Sequence, residues 1–216
     1  MKVKICGVTC VEDGLAAAQA GADLLGFNFY PGSPRFVNIE SCASMVTTIR
    51  QEYQKIVLVG IFVNAPRSHV LRILEKCRLD LAQLSGDEPA DEVQQLQSSA
   101  YKALRPGKQG FLEGEITTYL AAGEPALLLD AHQPGSYGGT GKTGDWQAAA
   151  RIARKHPILL AGGLNCDNLR QAIQTVHPWG VDVASGVESS PGRKDLEKVR
   201  EFIRIAKLEE KERQAC

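Results

Sequence analysis

Apolar and polar positions follow two alternating rhythms along this chain. Short apolar runs recur, and between them longer stretches repeat apolar residues at helical spacing. KVKIC at residues 2–6 sets Val3 and Ile5 against Lys2 and Lys4, the period of a half-buried strand. Thr9 and Glu12 then form a T-x-x-E capping box, and Leu15, Ala18 and Ala22 carry a helical pattern past Gly21, a C′ glycine. LLGFNF (24–29) reads as a second strand, followed by the loop YPGSPR and a helix capped by Asn38. IVLVGIFV (56–63) is apolar throughout, as a strand covered on both faces should be. Pro66 opens the next helix, with Val70, Ile73, Leu74 and Cys77 on one face.

The rhythm continues to the C-terminal end. Residues 79–84 predict a fourth strand, SGDEP opens a fourth helix, 101–104 a fifth strand and 111–120 its helix. Strand six, 126–129, ends in Asp130; a Gly-rich loop over 131–144 leads to a helix that Asp145 caps and Trp146 starts. Strand seven, 158–161, is followed by two glycines and an Asn165-capped helix. Strand eight, 181–184, opens onto Ser185-Gly186, and the last helix aligns Leu196, Val199, Phe202 and Ile203. Strands alternating with helices imply parallel pairing. Eight such units fit an α/β fold, a single-domain (β/α)8 TIM barrel over residues 1–216, with a doubly wound open sheet as the alternative.

Composition narrows the class. With 44% apolar and 23% charged residues the chain reads as globular, and 25 basic against 25 acidic side chains give no electrostatic footprint for nucleic acid. No apolar run reaches membrane-spanning length, and the N-terminus runs into a strand without a signal-peptide core. A cytoplasmic chain with reduced thiols follows as the expectation. The six cysteines are scattered without zinc-type spacing, and Cys42, Cys77 and Cys166 read as small buried hydrophobes.

In such a barrel the chemistry sits at the C-terminal ends of the strands. That selects Cys6, Arg35, Asn64, Gln83, Ser85, Asp87 and Asp130, together with Asp182 within strand eight. AGGLN (161–165) and ASGVE (184–188) pair glycines with helix starts on consecutive strands, which favours a phosphate site at Gly162, Gly163, Ser185 and Gly186; ordinary βα turns are the alternative. Cys6 and Asp130 are a candidate base–acid pair. The thiol needs its ordinary value of about 8.5 lowered, a task for helix N-termini. The carboxyl needs desolvation, which the preceding LLL suggests, or a like charge; a loop-capping role is the bland alternative for Asp130. Of the four histidines none has metal-ligand spacing, and His132, near a strand end, reads as a loop residue. The stretch SYGGTGKTG (136–144) lacks the first glycine of a P-loop, because residue 136 is serine.

These pieces together carry a resemblance. KICGVT (4–9), GFNFYPGSPRFV (26–37), GIFVN (60–64), QLSGDE (83–88), LLLDA (127–131), GGTGKTGDW (138–146), AGGLN (161–165) and GVDVASGVESSPGRKD (180–195) are similar, in order, to the phosphoribosylanthranilate isomerase family. The resemblance implies the Amadori rearrangement of N-(5-phosphoribosyl)anthranilate to a 1-deoxyribulose phosphate, the third step from anthranilate to tryptophan. It implies Asp130 as general acid on the furanose oxygen and Cys6 as general base at C2. Arg35 would hold the anthranilate carboxylate, Gly162, Gly163, Ser185 and Gly186 the phosphate, and Asp182 would face the pocket near the sugar or amine. No cofactor or metal is needed, and the partner is a small-molecule substrate handled by a monomer or homodimer. The family's usual histidine is Ser85 here, and a usual aromatic is Gly144. A related isomerase of histidine synthesis, a bifunctional version, and a non-catalytic barrel that binds a phosphorylated metabolite are the rival readings.

Overall fold

The structure is a computed structural model that describes residues 1–105, 113–131 and 146–215. Eight strands close a parallel barrel in chain order: β1 (Lys2–Cys6), β2 (Leu24–Asn28), β3 (Val57–Phe62), β4 (Leu81–Leu84), β5 (Ala100–Leu104), β6 (Leu127–Asp130), β7 (Ile158–Ala161) and β8 (Gly180–Val183). β1 pairs with both β2 and β8, which completes the ring and excludes the open sheet. Helices α1 (Val11–Ala20), α2 (Ile39–Glu52), α3 (Arg67–Cys77), α4 (Ala90–Gln95), α5 (Glu113–Thr118), α6 (Trp146–Ala153), α7 (Leu169–Val176) and α8 (Leu196–Ala215) alternate with the strands. A short antiparallel hairpin of β9 (Glu188–Ser190) and β10 (Arg193–Lys194), not predicted from the pattern, lies between β8 and α8. No helix among the described residues is long and apolar enough to cross a membrane.

The alternation along each strand separates two cores. Outward residues such as Val3, Ile5, Leu25 and Leu160 join the helices in one large apolar cluster. Inward residues Leu24, Val59, Tyr101, Leu128, Leu159 and Ala161 form a second, inside the barrel. β1 therefore corrects its half-buried reading. Lys4 is fully buried, because its face of the strand points into the barrel rather than into solvent.

Several ends differ from the sequence expectation for local reasons. Cys10, not Thr9, is the N-cap of α1 and makes no side-chain cap bond. The Thr9 hydroxyl donates instead to the carbonyl of Gly192 in the β9–β10 hairpin, so no capping box forms. Gly21 does end α1 in the left-handed region, with φ 102°. Asn38 caps α2 by accepting from the Ser41 N–H. β4 starts only at Leu81, because Arg78 is left-handed and the Leu79 N–H returns to the Leu74 carbonyl, which belongs to the exit of α3. Asn165 accepts from the N–H groups of Asp167 and Asn168, closing the turn before α7 rather than capping its first residue. Cys42 and Cys77 are buried as expected, whereas Cys166, in that same turn, is only partly covered.

A buried ion pair ties the loops after β3 and β4 beneath the barrel mouth. Lys102 Nζ lies 2.8 Å from Glu88 Oε2 and donates to the Leu84 and Gly86 carbonyls. Glu88 Oε1 accepts from the Asn64 N–H at 2.8 Å, and Asn64 Oδ1 accepts from the Asp87 N–H at 2.6 Å. Asn64 and Asp87, candidate site residues by strand position, thus spend these bonds on shaping the loops. Lys102→Met leaves the Glu88 carboxylate buried without its cation and is expected to cost about 3–5 kcal/mol; urea titration of the variant against the parent checks this.

Candidate active site

Cys6 is the last residue of β1 and faces inward, two residues above Lys4. The chain then turns sharply. Gly7 takes φ 74°, and the N–H groups of Gly7 and Val8 both donate to the Gly26 carbonyl at 2.9 Å. Gly26 stands beside the thiol: a Cβ there would lie 3.1 Å from Cys6 Sγ and 2.9 Å from Ile61 Cδ1. Any larger residue at 26 would crowd the sulfur.

Below Cys6 a polar layer crosses the barrel interior. Lys4 Nζ donates to Asp182 Oδ1 at 2.7 Å and to Gln83 Oε1 at 2.9 Å. The Tyr101 hydroxyl donates to the same Gln83 oxygen at 3.0 Å, and Gln83 Nε2 donates to Ser85 Oγ at 3.1 Å. Burial works against the Lys4 charge, but Asp182, Cys6 and Tyr101 together outweigh it, Asp182 most of all, and hold the ammonium protonated. Asp182 is thus found in this layer, bound to Lys4.

The Cys6 thiol is held above its ordinary value. Burial pushes it up, Asp182 adds to this, and the cations of Lys4 and Lys194 oppose it without winning. Lowering by helix N-termini, expected from the sequence, is not what the surroundings produce. Apolar walls and a carboxylate in the layer below outweigh the nearby positive charge.

Asp130 ends β6 and faces inward, on a strand separated from β1 by β7 and β8. Its side chain keeps 30% exposure, and Arg105 Nε lies 3.7 Å from Oδ2. The apolar run before it does not wrap the carboxyl, because alternate residues of that run face the helices. Among the described residues a cation, Arg105, lies beside it. The loop that follows, with His132, the 136–144 stretch, Gly144 and the expected Asp145 cap, lies outside the described residues.

The two Gly-rich loops meet at the far side of β1. Gly162 and Gly163 both take left-handed backbone, with φ 98° and 67°. Ser185–Val187 form one 3-10 turn, and Gly186 sits against the other loop so closely that a Cβ would lie 1.9 Å from the Leu164 carbonyl oxygen. Asn168 Nδ2 donates to the Gly163 carbonyl at 2.9 Å and steadies the first loop. Gly162, Gly163, Ser185 and Gly186 are therefore brought together at one corner of the mouth.

Arg35, in the loop after β2, lies across Gly7, where a Cβ would come 2.4 Å from Arg35 Cδ. Its guanidinium is paired with Glu188, which also binds Lys194. Lys194 Nζ reaches the Cys6 carbonyl at 2.6 Å. Sequence reasoning passed over Lys4, Tyr101, Glu188 and Lys194. The signal for Lys4 was its i, i+2 relation to Cys6, which fixes both on one face. Glu188 and Lys194 carry no comparable signal, since their partners are distant in sequence.

A family model described as N-(5'-phosphoribosyl)anthranilate (PRA) isomerase matches residues 3–205. The N-(5'-phosphoribosyl)anthranilate isomerase of Pelobacter propionicus is 48% identical over 207 residues, covering 96% of each chain. The crystal structure of phosphoribosyl anthranilate isomerase from Thermotoga maritima superposes with a TM-score of 0.84 at 35% identity, covering 96% of this chain and 98% of that one. A crystal structure of phosphoribosyl anthranilate isomerase in complex with reduced 1-(o-carboxyphenylamino)-1-deoxyribulose 5-phosphate matches with a TM-score of 0.80 at 31% identity, covering 96% and 98%. With a barrel mouth that joins a thiol, a carboxyl, an arginine and two nested glycine loops, and with relatives matching over nearly its whole length, the chain belongs to the N-(5'-phosphoribosyl)anthranilate isomerase family of tryptophan biosynthesis.

Proposed function

We propose that Cys6 and Asp130 work as general base and general acid in the isomerisation of N-(5'-phosphoribosyl)anthranilate. The observation that carries this reading is that both side chains end inward-facing strand positions at the same mouth, on separate strands of one closed barrel. The substrate is an aldosylamine, and its rearrangement needs one proton delivered and one removed. Asp130 gives a proton to the furanose ring oxygen, and the ring opens to a Schiff base. Cys6 takes the proton from C2, leaving an enolamine that tautomerises to the ketone. The change is an internal redox by proton transfer, so atoms and electrons balance within the substrate.

Two anions orient the substrate. The reduced compound bound by the crystallised relative carries an aromatic carboxylate at one end and a phosphate at the other. Here Arg35 suits the carboxylate, because a guanidinium meets it with paired N–H donors. The nested loops of Gly162, Gly163, Ser185 and Gly186 suit the phosphate through backbone N–H groups. The two anchors flank β1, so a substrate stretched between them passes over Cys6.

Turnover is followed by the loss of substrate fluorescence. Cys6→Ala and Asp130→Asn are each expected to lower kcat by about 10³-fold or more while substrate still binds; near-parental turnover by either variant removes that residue from its role. Arg35→Ala is expected to raise KM, and an unchanged KM rejects the carboxylate assignment.

The pH profile follows from the thiol. Only the thiolate accepts the C2 proton, and burial holds Cys6 above the ordinary thiol value. The thiolate fraction of Cys6 in the free enzyme therefore grows as pH rises. The rate of iodoacetamide labelling at Cys6 is expected to be still rising with pH at the ordinary thiol value of about 8.5, and a plateau reached already at neutral pH refutes this.

A further inference from the structure

Glu188 begins β9, just after the turn that follows β8, and its carboxylate is nearly buried, with 4% side-chain exposure. Arg35 Nε donates to its Oε1 at 2.8 Å and Arg35 Nη2 to its Oε2 at 2.6 Å. Lys194 Nζ donates to Oε1 at 2.9 Å, to the Cys6 carbonyl at 2.6 Å and to the Ala184 carbonyl at 3.2 Å. Burial alone would raise the Glu188 carboxyl, yet the hydrogen bonds from Arg35 and Lys194 hold it below its ordinary range. This carboxylate thus joins the loop after β2, the end of β1 and the end of β8.

A guanidinium offers two edges that meet a carboxylate side by side, Nε with Nη2 and Nη1 with Nη2. Glu188 occupies the first. Among the described residues Nη1 has no hydrogen-bond acceptor, so the second edge is available to a further anion. An acid placed against an anion-binding arginine weakens its field, which makes sense only where orientation is gained in return. Lys194 restores the balance: two cations and one carboxylate leave the cluster with a net single positive charge, matched to one substrate carboxylate.

We propose that Glu188 is the positioning residue for Arg35, taking the Nε–Nη2 edge so that the Nη1–Nη2 edge receives the aromatic carboxylate of the substrate, and linking that contact through Lys194 to the strand end that carries Cys6. The proposal rests on the reading of Arg35 as the carboxylate-binding residue. Without Glu188 the substrate carboxylate meets either edge of a side chain free to change rotamer, and the ring is no longer held in one pose. The loss then falls on binding.

A double-mutant cycle with Glu188→Gln and Arg35→Ala, read as KM and kcat on N-(5'-phosphoribosyl)anthranilate, tests this. Glu188→Gln keeps the shape but cannot accept from both arginine N–H groups, and is expected to raise KM about ten-fold or more while kcat stays within about three-fold. In the Arg35→Ala background the same change is expected to add less than about two-fold, because its effect passes through an arginine already removed. Glu188→Asp, which restores the charge, is expected to bring KM back to within about three-fold of the parent, and Glu188→Ala takes the place of Glu188→Gln in the cycle should the latter not fold. Unchanged KM, a loss confined to kcat, additive effects in the two backgrounds, or an aspartate variant as impaired as the glutamine overturns the proposal. An Arg35→Ala enzyme with parental KM sinks the reading of Arg35 itself, a different result from a raised KM on which Glu188→Gln is additive.

Discussion

The ammonium group of Lys4 at the centre of the barrel is the charge on which the interior depends. It is fully buried and bonded to Asp182 on the neighbouring strand and to Gln83 across the barrel. A charge so placed is tolerated only with a close counter-ion and full hydrogen bonding. The partners therefore follow: a carboxylate on β8, an amide on β4 to accept the second bond, and a tyrosine hydroxyl on β5 to complete the amide oxygen. Four strands are tied to one point, with the apolar layer of Leu24, Val59, Leu128 and Leu159 packed in the same interior.

Cys6 inherits its environment from that layer. The residue spacing of a strand puts it on the same face as Lys4, over a cation and a carboxylate whose influences on it oppose each other. Burial then decides, and the thiol rests protonated at neutral pH. A neutral thiol is also less prone to oxidation and alkylation than a standing thiolate.

The mouth is assembled by a second charge cluster of a different kind. Where the Lys4 layer holds the interior, Glu188, Arg35 and Lys194 hold the rim, and Lys194 spans the carbonyls at the ends of β1 and β8. The β9–β10 hairpin exists to deliver two of these three side chains, and its turn takes the Thr9 hydroxyl as well. The rim is thus tied together by charge pairs between segments distant in sequence.

Much of this was determined by the sequence alone. Eight strand–helix units, the strand-end positions of Cys6 and Asp130, and the paired glycine loops are local or periodic features, set by backbone sterics and the two-residue period of a strand. The motifs at residues 4–9 and 180–195 identified the family for the same reason, because they are contiguous. The tertiary structure alone decided what lies between segments. Lys4 read as half-exposed until the barrel closed around it, Thr9 as a helix cap until Gly192 arrived beside it, and Glu188 as one residue of a loop until Arg35 met it across 153 positions. Charge pairing of that kind depends on distances that no local pattern encodes, and the ionisation of Cys6 follows from it.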